Sequence, residues 1–208
     1  MTGGLKRLIL VNSYLICLFL ASFAQADNKT LLVVGDSLSA GYGIDIKQGW
    51  VHQLQLKLDR EQLAYTVVNA SVSGETTTGG KARLPKLLET HQPDIVLLEL
   101  GANDGLRGQP IKIPHNNLAN MITAVQNADA QVLLIGIQIP PNYGARYTEA
   151  FAGIFARLAQ TYDTALVPFL LEGVALNPQL MLKDGIHPTA EAQPILLDTV
   201  WPYLKPLL

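Results

Sequence analysis

Five short apolar runs alternate with longer amphipathic segments along this chain, and that alternation constrains the fold more than any other feature. The strand-like runs are Leu31 to Val34, Tyr65 to Asn69, Asp94 to Leu100, Val132 to Ile137 and Ala165 to Pro168. The candidate helices are Gly49 to Arg60, Thr78 to Thr90, His115 to Asn127, Thr148 to Tyr162 and Thr189 to Leu204. Strands that alternate with helices form parallel sheets covered by helices on both faces.

Right-handed crossovers leave few ways to order five such strands. We predict an α/β fold of three layers, α/β/α, with a five-stranded parallel sheet in the flavodoxin-like order 2-1-3-4-5. The segment Leu54 to Leu58 alternates apolar and polar residues and also fits a strand, but its length and surroundings favour a helix. The longest irregular connection is predicted from Gly101 to Pro114, and loops of that size are often functional.

The first 26 residues have the layout of a secretory signal peptide. Lys6 and Arg7 precede the apolar run Leu8 to Phe23, and small residues close the segment at Ala26. We predict cleavage before Asp27, which places a single domain of residues 27–208 in the periplasm or outside the cell. An uncleaved membrane anchor is the alternative, but polar residues interrupt the run, which is short for a span of about 20 residues. We therefore expect no membrane span in the mature chain.

The charge and cysteine content exclude several classes of protein. The formal net charge is −2 over 208 residues, and no stripe of Lys and Arg marks a nucleic-acid-binding surface. Cys17, the single cysteine, lies inside the predicted signal, so the mature chain would form neither a disulfide nor a thiolate metal site. With 49% hydrophobic residues, burial of a core can stabilise one domain without them.

The first strand-like run leads into Gly35-Asp36-Ser37, so it would present a serine hydroxyl at the C-terminal end of a central strand. Ligands bind at that end of the strands in open α/β sheets. A serine hydroxyl is a poor nucleophile until a base takes its proton. Of the four histidines, His52, His91 and His115 fit solvated or capping roles, which leaves His187 as the candidate base.

His187 closes the tight segment Lys183-Asp184-Gly185-Ile186-His187. Asp184 can reach the Nδ1–H of the imidazole because Gly185 lets the chain bend, and Nε2 is then free to accept the serine proton. The same pattern also fits a helix N-terminus capped by Thr189 or Asp184. An Asp-x-x-His pair could supply two metal ligands, but no third ligand lies nearby, so we predict no metal.

Two further strand ends carry hydrogen-bond donors for an oxyanion. The segment Asn69 to Thr76 contains Gly74, whose backbone N–H can turn toward Ser37, and Gly101 to Gly105 contains the side-chain amide of Asn103. Acyl transfer needs such donors where negative charge develops. Each segment alone is an ordinary turn sequence, but the predicted fold brings the three strand ends together.

These blocks, taken in order, resemble those of the SGNH (GDSL) hydrolase superfamily. They are Gly35-Asp36-Ser37-Leu38, Gly74, Gly101-x-Asn103-Asp104 and Asp184-x-x-His187, and the resemblance runs from about Thr30 to the C-terminus. Within the superfamily the chain is most similar to the multifunctional acyl-CoA thioesterase / lysophospholipase / arylesterase group of bacterial periplasmic enzymes. The segments that carry this closer similarity are Gly35 to Gly43, Leu98 to Gly108 and Asp184 to Pro188.

The resemblance implies a role for each matching position. Ser37 would be the nucleophile, His187 the general base and then the general acid, and Asp184 the residue that orients His187. The oxyanion hole would comprise the Ser37 N–H, the Gly74 N–H and the Asn103 amide. No cofactor is implied.

The candidate substrate-binding residues lie on two segments and beside the nucleophile. Leu106 and Arg107 stand between two glycines that could act as hinges, and this stretch is similar to the group's mobile substrate loop. The other candidates are Leu38, Ile137, Ile139, Asn142 and Tyr143. Apolar residues here suit acyl chains, since each buried CH₂ contributes about 0.8 kcal/mol. The alternative is that Ile137 and Ile139 belong to the core.

The resemblance implies a secreted serine esterase that hydrolyses carboxylic esters and thioesters of lipophilic acyl groups through an acyl-serine intermediate. It would be of the arylesterase, thioesterase or lysophospholipase type, and we expect a monomer that acts on small-molecule or lysolipid substrates. Two alternatives stay open: a carbohydrate O-acetyl esterase, and a non-catalytic flavodoxin-like module in which Ser37 only contacts a ligand. Flavin or nucleotide binding is disfavoured because the chain lacks Gly-x-Gly-x-x-Gly and a Walker lysine.

Overall fold

A five-stranded parallel sheet forms the centre of the structure, a computed structural model that describes residues 28–208. Its strands are β1 (Lys29–Gly35), β2 (Tyr65–Asn69), β3 (Ile95–Glu99), β4 (Gln131–Ile135) and β5 (Ala165–Val167). They are hydrogen-bonded in the order β2-β1-β3-β4-β5, which confirms the predicted topology. The predicted signal peptide, residues 1–26, lies outside the described residues.

Helices cover both faces of this sheet, as the alternation in the sequence predicts. They are α1 (Ser37–Ala40), α2 (Trp50–Arg60), α3 (Thr77–His91), α4 (Ala102–Leu106), α5 (Lys112–Gln126), α6 (Ala145–Tyr162) and α7 (Gln193–Leu204). One layer pairs α2 with α7, and in the other α5 contacts both α3 and α6. None of the helices within residues 28–208 combines the length and the apolar character that a membrane span requires.

The central strand β1 determines where the candidate nucleophile lies. Its residues Leu31 to Val34 are fully buried, because helices cover both faces of the sheet. Val33 pairs with Asn69 of β2, and Gly35 pairs with Glu99 of β3. The C-terminal ends of β1, β2 and β3 therefore lie side by side at one edge of the sheet.

The segment whose alternation also fits a strand is the helix α2. Its buried residues Trp50, Leu54 and Leu58 recur every four positions, the spacing of one helix face. Leu56 alternates with them along the sequence but is 46% exposed. The helical period therefore decides which leucines enter the core.

The predicted irregular connection from Gly101 to Pro114 is wrong, because it contains α4 and the start of α5. Pro114 lies in the first turn of α5, where the backbone N–H groups have no partner within the helix, so a proline costs no helical hydrogen bond. In the described part of the chain, the longest connection without an α-helix or a strand spans residues 168–192 and carries Asp184 and His187.

Other boundaries shift by a few residues. The strand β4 ends at Ile135 and not at Ile137, so Ile137 and Ile139 follow the strand. The last helix begins at Gln193, after a 3₁₀ turn at Ala190–Ala192, and not at Thr189.

Candidate active site

The turn from β1 into α1 presents the Ser37 hydroxyl. Ser37 is the first residue of this four-residue helix, and Asp36 caps it by accepting a hydrogen bond from the Leu38 N–H at 3.0 Å. Gly41, at φ +77°, ends the helix in a left-handed conformation that glycine adopts without strain. Ser37 is only 9% exposed, so a reactant would meet it in a largely desolvated position.

The structure brings Ser37, His187 and Asp184 into one chain of hydrogen bonds. The Ser37 Oγ lies 2.9 Å from the His187 Nε2, and the His187 Nδ1 lies 2.7 Å from the Asp184 Oδ2. The first of these contacts joins residues 150 positions apart in the sequence. This is the connectivity of a serine hydrolase triad, in which the carboxylate selects the tautomer that leaves Nε2 facing the serine.

The segment around Gly185 shapes the Asp184–His187 contact. Asp184 Oδ1 accepts the Ile186 and His187 N–H groups at 2.9 and 3.1 Å, while its Oδ2 contacts the imidazole. Partial desolvation raises the pKa of Asp184, but the hydrogen bonds from His187 and Ile186 outweigh it and lower the pKa to about 2. Asp184 therefore caps its own turn with one oxygen and holds the histidine with the other, while Thr189 makes no side-chain cap.

Sequence reasoning missed Tyr42 as a neighbour of His187, the candidate base. Its ring centroid lies 4.4 Å from that of His187, with the two planes inclined at 38°. The Tyr42 ring thus packs against the imidazole, although Tyr42 itself is half-exposed. No sequence signal distinguishes it from an ordinary surface tyrosine.

Asn103 and Gly74 lie beside the Ser37 turn, on the ends of the neighbouring strands. The Asn103 Nδ2 donates to the Asp36 Oδ2 at 3.1 Å and to the Glu75 carbonyl at 3.0 Å. Gly74 has φ +79° and open space where a side chain would project, and its N–H forms no hydrogen bond within residues 28–208. The structure thus brings both predicted donors to the edge of the sheet that carries Ser37.

The loop that carries Gly74 is fixed at several points. The Val72 N–H donates to the Gly35 carbonyl at 3.0 Å, which ties the loop to the end of β1. Arg83 donates to the Glu75 carboxylate at 2.7 Å and to the Ala70 carbonyl at 3.0 Å. These contacts hold the loop on both sides of Gly74.

The helix α4 is fixed by a buried carboxylate that sequence reasoning left without a role. Asp104 accepts the Thr77 N–H at 2.8 Å and the Thr77 hydroxyl at 2.6 Å. Asn117 of α5 in turn donates to the Thr77 hydroxyl at 3.1 Å. Asp104 therefore locks the helix that carries Asn103 onto α3 and α5.

A second carboxyl group, Glu99, lies directly under the Ser37 turn. It is fully buried at the end of β3, where Oε2 accepts the Asp36 N–H at 3.2 Å and the Ser39 hydroxyl at 2.7 Å. Burial, followed by the nearby Asp36 carboxylate, raises the pKa of Glu99 well above its usual range. Burial also raises the pKa of Asp36, to about 6, against the opposing effects of the Leu38 N–H and His187. A glutamate that ends the apolar run Ile95 to Leu98 was the signal that could have identified this group.

The predicted substrate-binding residues divide into buried and exposed sets. Leu38, Ile137 and Ile139 are 5%, 3% and 6% exposed and belong to the hydrophobic core. Tyr143 is half-exposed, and its hydroxyl donates to the Leu106 carbonyl at 2.7 Å.

Arg107 is exposed and donates to the Gly74 carbonyl at 3.1 Å, so contacts on both sides hold the segment 106–107 in this structure. Asn142 is exposed next to Tyr143. A cavity of about 580 Å³ adjoins Tyr143, lined by residues 143–147 with Ile111 and Ala150. Neither Ser37 nor His187 lines this cavity.

The other histidines take no part in this arrangement. They are His52 on α2, His91 at the end of α3 and His115 on α5, and none of them is hydrogen-bonded to Ser37. Among residues 28–208, no three His, Cys, Asp or Glu side chains cluster in a way that could hold a metal ion.

Comparisons with known proteins identify relatives that match most of the chain. The model of the GDSL-like lipase/acylhydrolase family matches residues 33–194, which include Ser37, Gly74, Asn103, Asp184 and His187. Esterase TesA of Pseudomonas aeruginosa is 55% identical over 184 residues, which cover 88% of this chain and 92% of that protein. Thioesterase 1/protease 1/lysophospholipase L1 of Escherichia coli is 47% identical over 191 residues, covering 92% and 90%.

A solved structure agrees with this similarity. The crystal structure of the psychrotrophic esterase EstA from Pseudoalteromonas sp., inhibited by monoethylphosphonate, has a TM-score of 0.82 and 43% identity. The match covers 86% of this chain and 98% of that one.

Proposed function

This chain belongs to the GDSL-like lipase/acylhydrolase family and is an ester-hydrolysing enzyme, and we propose that it acts through an acyl intermediate on Ser37. The observation that carries the proposal is the hydrogen-bonded chain from the Ser37 Oγ through His187 to Asp184, at 2.9 and 2.7 Å. The neutral His187 Nε2 accepts the serine proton as Ser37 attacks the ester carbonyl. His187 then gives that proton to the leaving alcohol or thiol.

A second half-reaction restores the enzyme. Water replaces the leaving group, loses a proton to His187 and attacks the acyl-serine carbonyl. Release of the carboxylic acid returns the proton to Ser37. Asp184 remains ionised throughout, because its pKa of about 2 lies well below neutral pH. Its negative charge stabilises the imidazolium that forms in each half-reaction.

The oxyanion formed in both half-reactions would be bound by the Ser37 N–H, the Gly74 N–H and the Asn103 amide. Gly74 supports this assignment, because its N–H has no partner in residues 28–208 and nothing fills the space beside it. The Asn103 Nδ2 already contacts two acceptors, so the oxyanion would share one of its N–H groups in a three-centre hydrogen bond. Losing one donor of this kind typically lowers turnover by about 10² to 10³.

We propose esters and thioesters of lipophilic acids as the substrates. The relatives named esterase, thioesterase and lysophospholipase support this class. Hydrolysis rates for a series of p-nitrophenyl esters from acetyl to decanoyl test the preference for acyl-chain length. Activity that is highest with acetyl would instead favour the carbohydrate O-acetyl esterase alternative.

The cellular location and the assembly state are also part of this proposal. The layout of residues 1–26 supports export and cleavage before Asp27, which leaves one catalytic domain that acts as a monomer. N-terminal sequencing of the protein recovered from the periplasm should begin at Asp27. An intact N-terminus in the membrane fraction would contradict this assignment.

Replacement of the nucleophile tests the central claim. Ser37→Ala should abolish hydrolysis of p-nitrophenyl butyrate and labelling by a fluorophosphonate probe, because neither reaction can proceed without the Ser37 Oγ. Ser73→Ala is the matched control, since Ser73 is exposed on the neighbouring loop. Full activity in Ser37→Ala would refute the proposal, as would equal loss in both variants.

A further inference from the structure

The Asp36 carboxylate uses both of its oxygens, and each one serves a different part of the site. Its Oδ1 accepts the Leu38 N–H at 3.0 Å, which caps the helix that begins with Ser37. Its Oδ2 accepts the Asn103 Nδ2 at 3.1 Å. Asp36 is fully buried, so neither bond competes with bulk water. One side chain thus bridges the nucleophile-bearing helix and the side-chain donor of the proposed oxyanion hole.

We propose that Asp36 is a positioning residue, which aligns the Asn103 amide with the Ser37 turn through this two-oxygen bridge. The inference rests on the proposed function, because it assigns Asp36 to the same oxyanion site. An amide turns easily about its terminal torsion, and two acceptors, the Asp36 Oδ2 and the Glu75 carbonyl, fix the Asn103 Nδ2. Of the two, Asp36 is the one that ties the amide to the helix that begins with Ser37. Asp36 acts on the reaction only through Asn103 and the α1 cap.

An asparagine at position 36 could not make both bonds. Asparagine is as good an N-cap as aspartate, so its single oxygen would keep the Leu38 N–H bond. Its NH₂ group would then face the Asn103 NH₂, and two donors cannot bond each other. Asp36→Asn therefore breaks the Asn103 contact selectively while it preserves the size of the side chain.

The charges around Asp36 agree with a bridge that is ionised at neutral pH. The carboxyls Glu99 and Asp104 and the imidazole of His187 are the titratable groups that act on it. Glu99 is held by two donors on Oε2, whereas its Oε1 is buried without a partner among residues 28–208. A proton on Glu99 removes the repulsion between the two carboxyls and leaves Asp36 with the negative charge that strengthens its bonds to donors.

The kinetic test is a double-mutant cycle on p-nitrophenyl butyrate hydrolysis. Asp36→Asn should lower kcat about 10- to 100-fold with KM changed less than about threefold, since misplacement of about 1 Å can lower rates about 10². In the Asn103→Ala background, Asp36→Asn should change kcat less than about twofold, because its target is gone. Equal fold-losses in both backgrounds would overturn the inference, as would wild-type kcat in Asp36→Asn.

Asp45→Asn is the matched control. Asp45 caps a 3₁₀ turn with the same contact, its Oδ1 accepting the Lys47 N–H at 3.0 Å, but it is exposed. Asparagine can make that single bond, so Asp45→Asn should retain wild-type kcat. If Asp36→Asn does not fold, as judged by near-UV circular dichroism, Asp36→Ser serves instead, because serine also caps the helix and cannot reach Asn103.

The outcomes for this inference and for the proposed function are distinguishable. An inactive wild type, or an active Ser37→Ala variant, refutes the proposed function whatever Asp36→Asn does. An active wild type with an inactive Ser37→Ala variant upholds the proposed function, and the cycle then decides the role of Asp36 alone.

Discussion

The replacement Gly35→Ala should damage this enzyme through sterics alone. Gly35 ends β1 without a positive φ, so alanine meets no backbone strain there. A Cβ on Gly35 would lie 2.6 Å from the Glu99 Oε2 and 2.8 Å from the Ser39 Cβ. Favourable contacts between carbon atoms lie at about 3.5 to 4.0 Å, so Ser39 would have to retreat by about 1 Å.

The atoms that Gly35→Ala would displace have little room to move. Glu99 is fully buried and Ser39 is 3% exposed, and the two are joined by a hydrogen bond of 2.7 Å. Overpacking of this kind typically lowers the free energy of unfolding by about 1 to 3 kcal/mol. Because Ser39 and Ser37 share the helix α1, the shift would also disturb the 2.9 Å contact between Ser37 and His187. We expect kcat to fall about 100-fold.

Urea unfolding and kinetics with p-nitrophenyl butyrate measure the two effects of Gly35→Ala. The control is Gly153→Ala on α6, where the nearest atoms to the added Cβ all belong to the Arg157 guanidinium, with Nη1 at 2.5 Å. Arg157 is exposed and its guanidinium can swing away, so alanine in this helix should stabilise the protein by about 0.5 to 1 kcal/mol. The steric reasoning fails if Gly35→Ala matches the wild type in both assays, or if the two variants lose stability equally.

Three further predictions concern groups around the site. Burial raises the pKa of Asp36 to about 6, so the folded protein holds this proton more tightly than the unfolded chain does. The free energy of unfolding should therefore fall as pH rises from about 4 to 7, and urea titrations should show a smaller fall in Asp36→Asn. Tyr42→Ala should lower kcat/KM about 2- to 10-fold, because aromatic pairs contribute about 0.5 to 1.5 kcal/mol. Tyr42→Phe keeps the ring against His187 and should retain activity, so equal losses in the two variants would refute the packing role. Asp104→Asn should lower the free energy of unfolding by about 1.5 to 3 kcal/mol, because it weakens two charge-assisted hydrogen bonds from Thr77. An unchanged midpoint of urea unfolding would contradict this prediction.

The sheet could be predicted because its signal is local. Residues of a strand covered on both faces are all apolar, and Leu31 to Val34 show this without reference to the rest of the chain. The helix α4 could not be predicted in the same way. Asn103-Asp104-Gly105 has the composition of a turn, and the hydrogen bonds that hold the Asp104 side chain in place come from Thr77, 27 positions away.

In the candidate site, too, the local contacts could be predicted from the sequence and the others could not. The Asp184–His187 contact spans three residues, so the spacing and one glycine were enough to propose it. The core alternative for Ile137 and Ile139 could not be resolved from the sequence, since apolar residues suit both an acyl-chain wall and a core. Their exposures of 3% and 6% place them in the core.

The identities of Gly35 and Asp36, the two residues before Ser37, are explained by their contacts with Glu99 of the neighbouring strand β3. Glu99 lies opposite Gly35 in the register of β1 and β3, and its carboxyl occupies the space that a Cβ on Gly35 would fill. That carboxyl holds the Asp36 N–H, and the Asp36 side chain then reaches Leu38 on one side and Asn103 on the other. A glycine and an aspartate are therefore required at these two positions for different reasons: the first makes room for Glu99, and the second offers two acceptors to two donors. A variant that shortens Glu99 should relieve only the contact with its Oε2, because a Cβ on Gly35 would still lie 2.8 Å from the Ser39 Cβ, so position 35 should still require glycine.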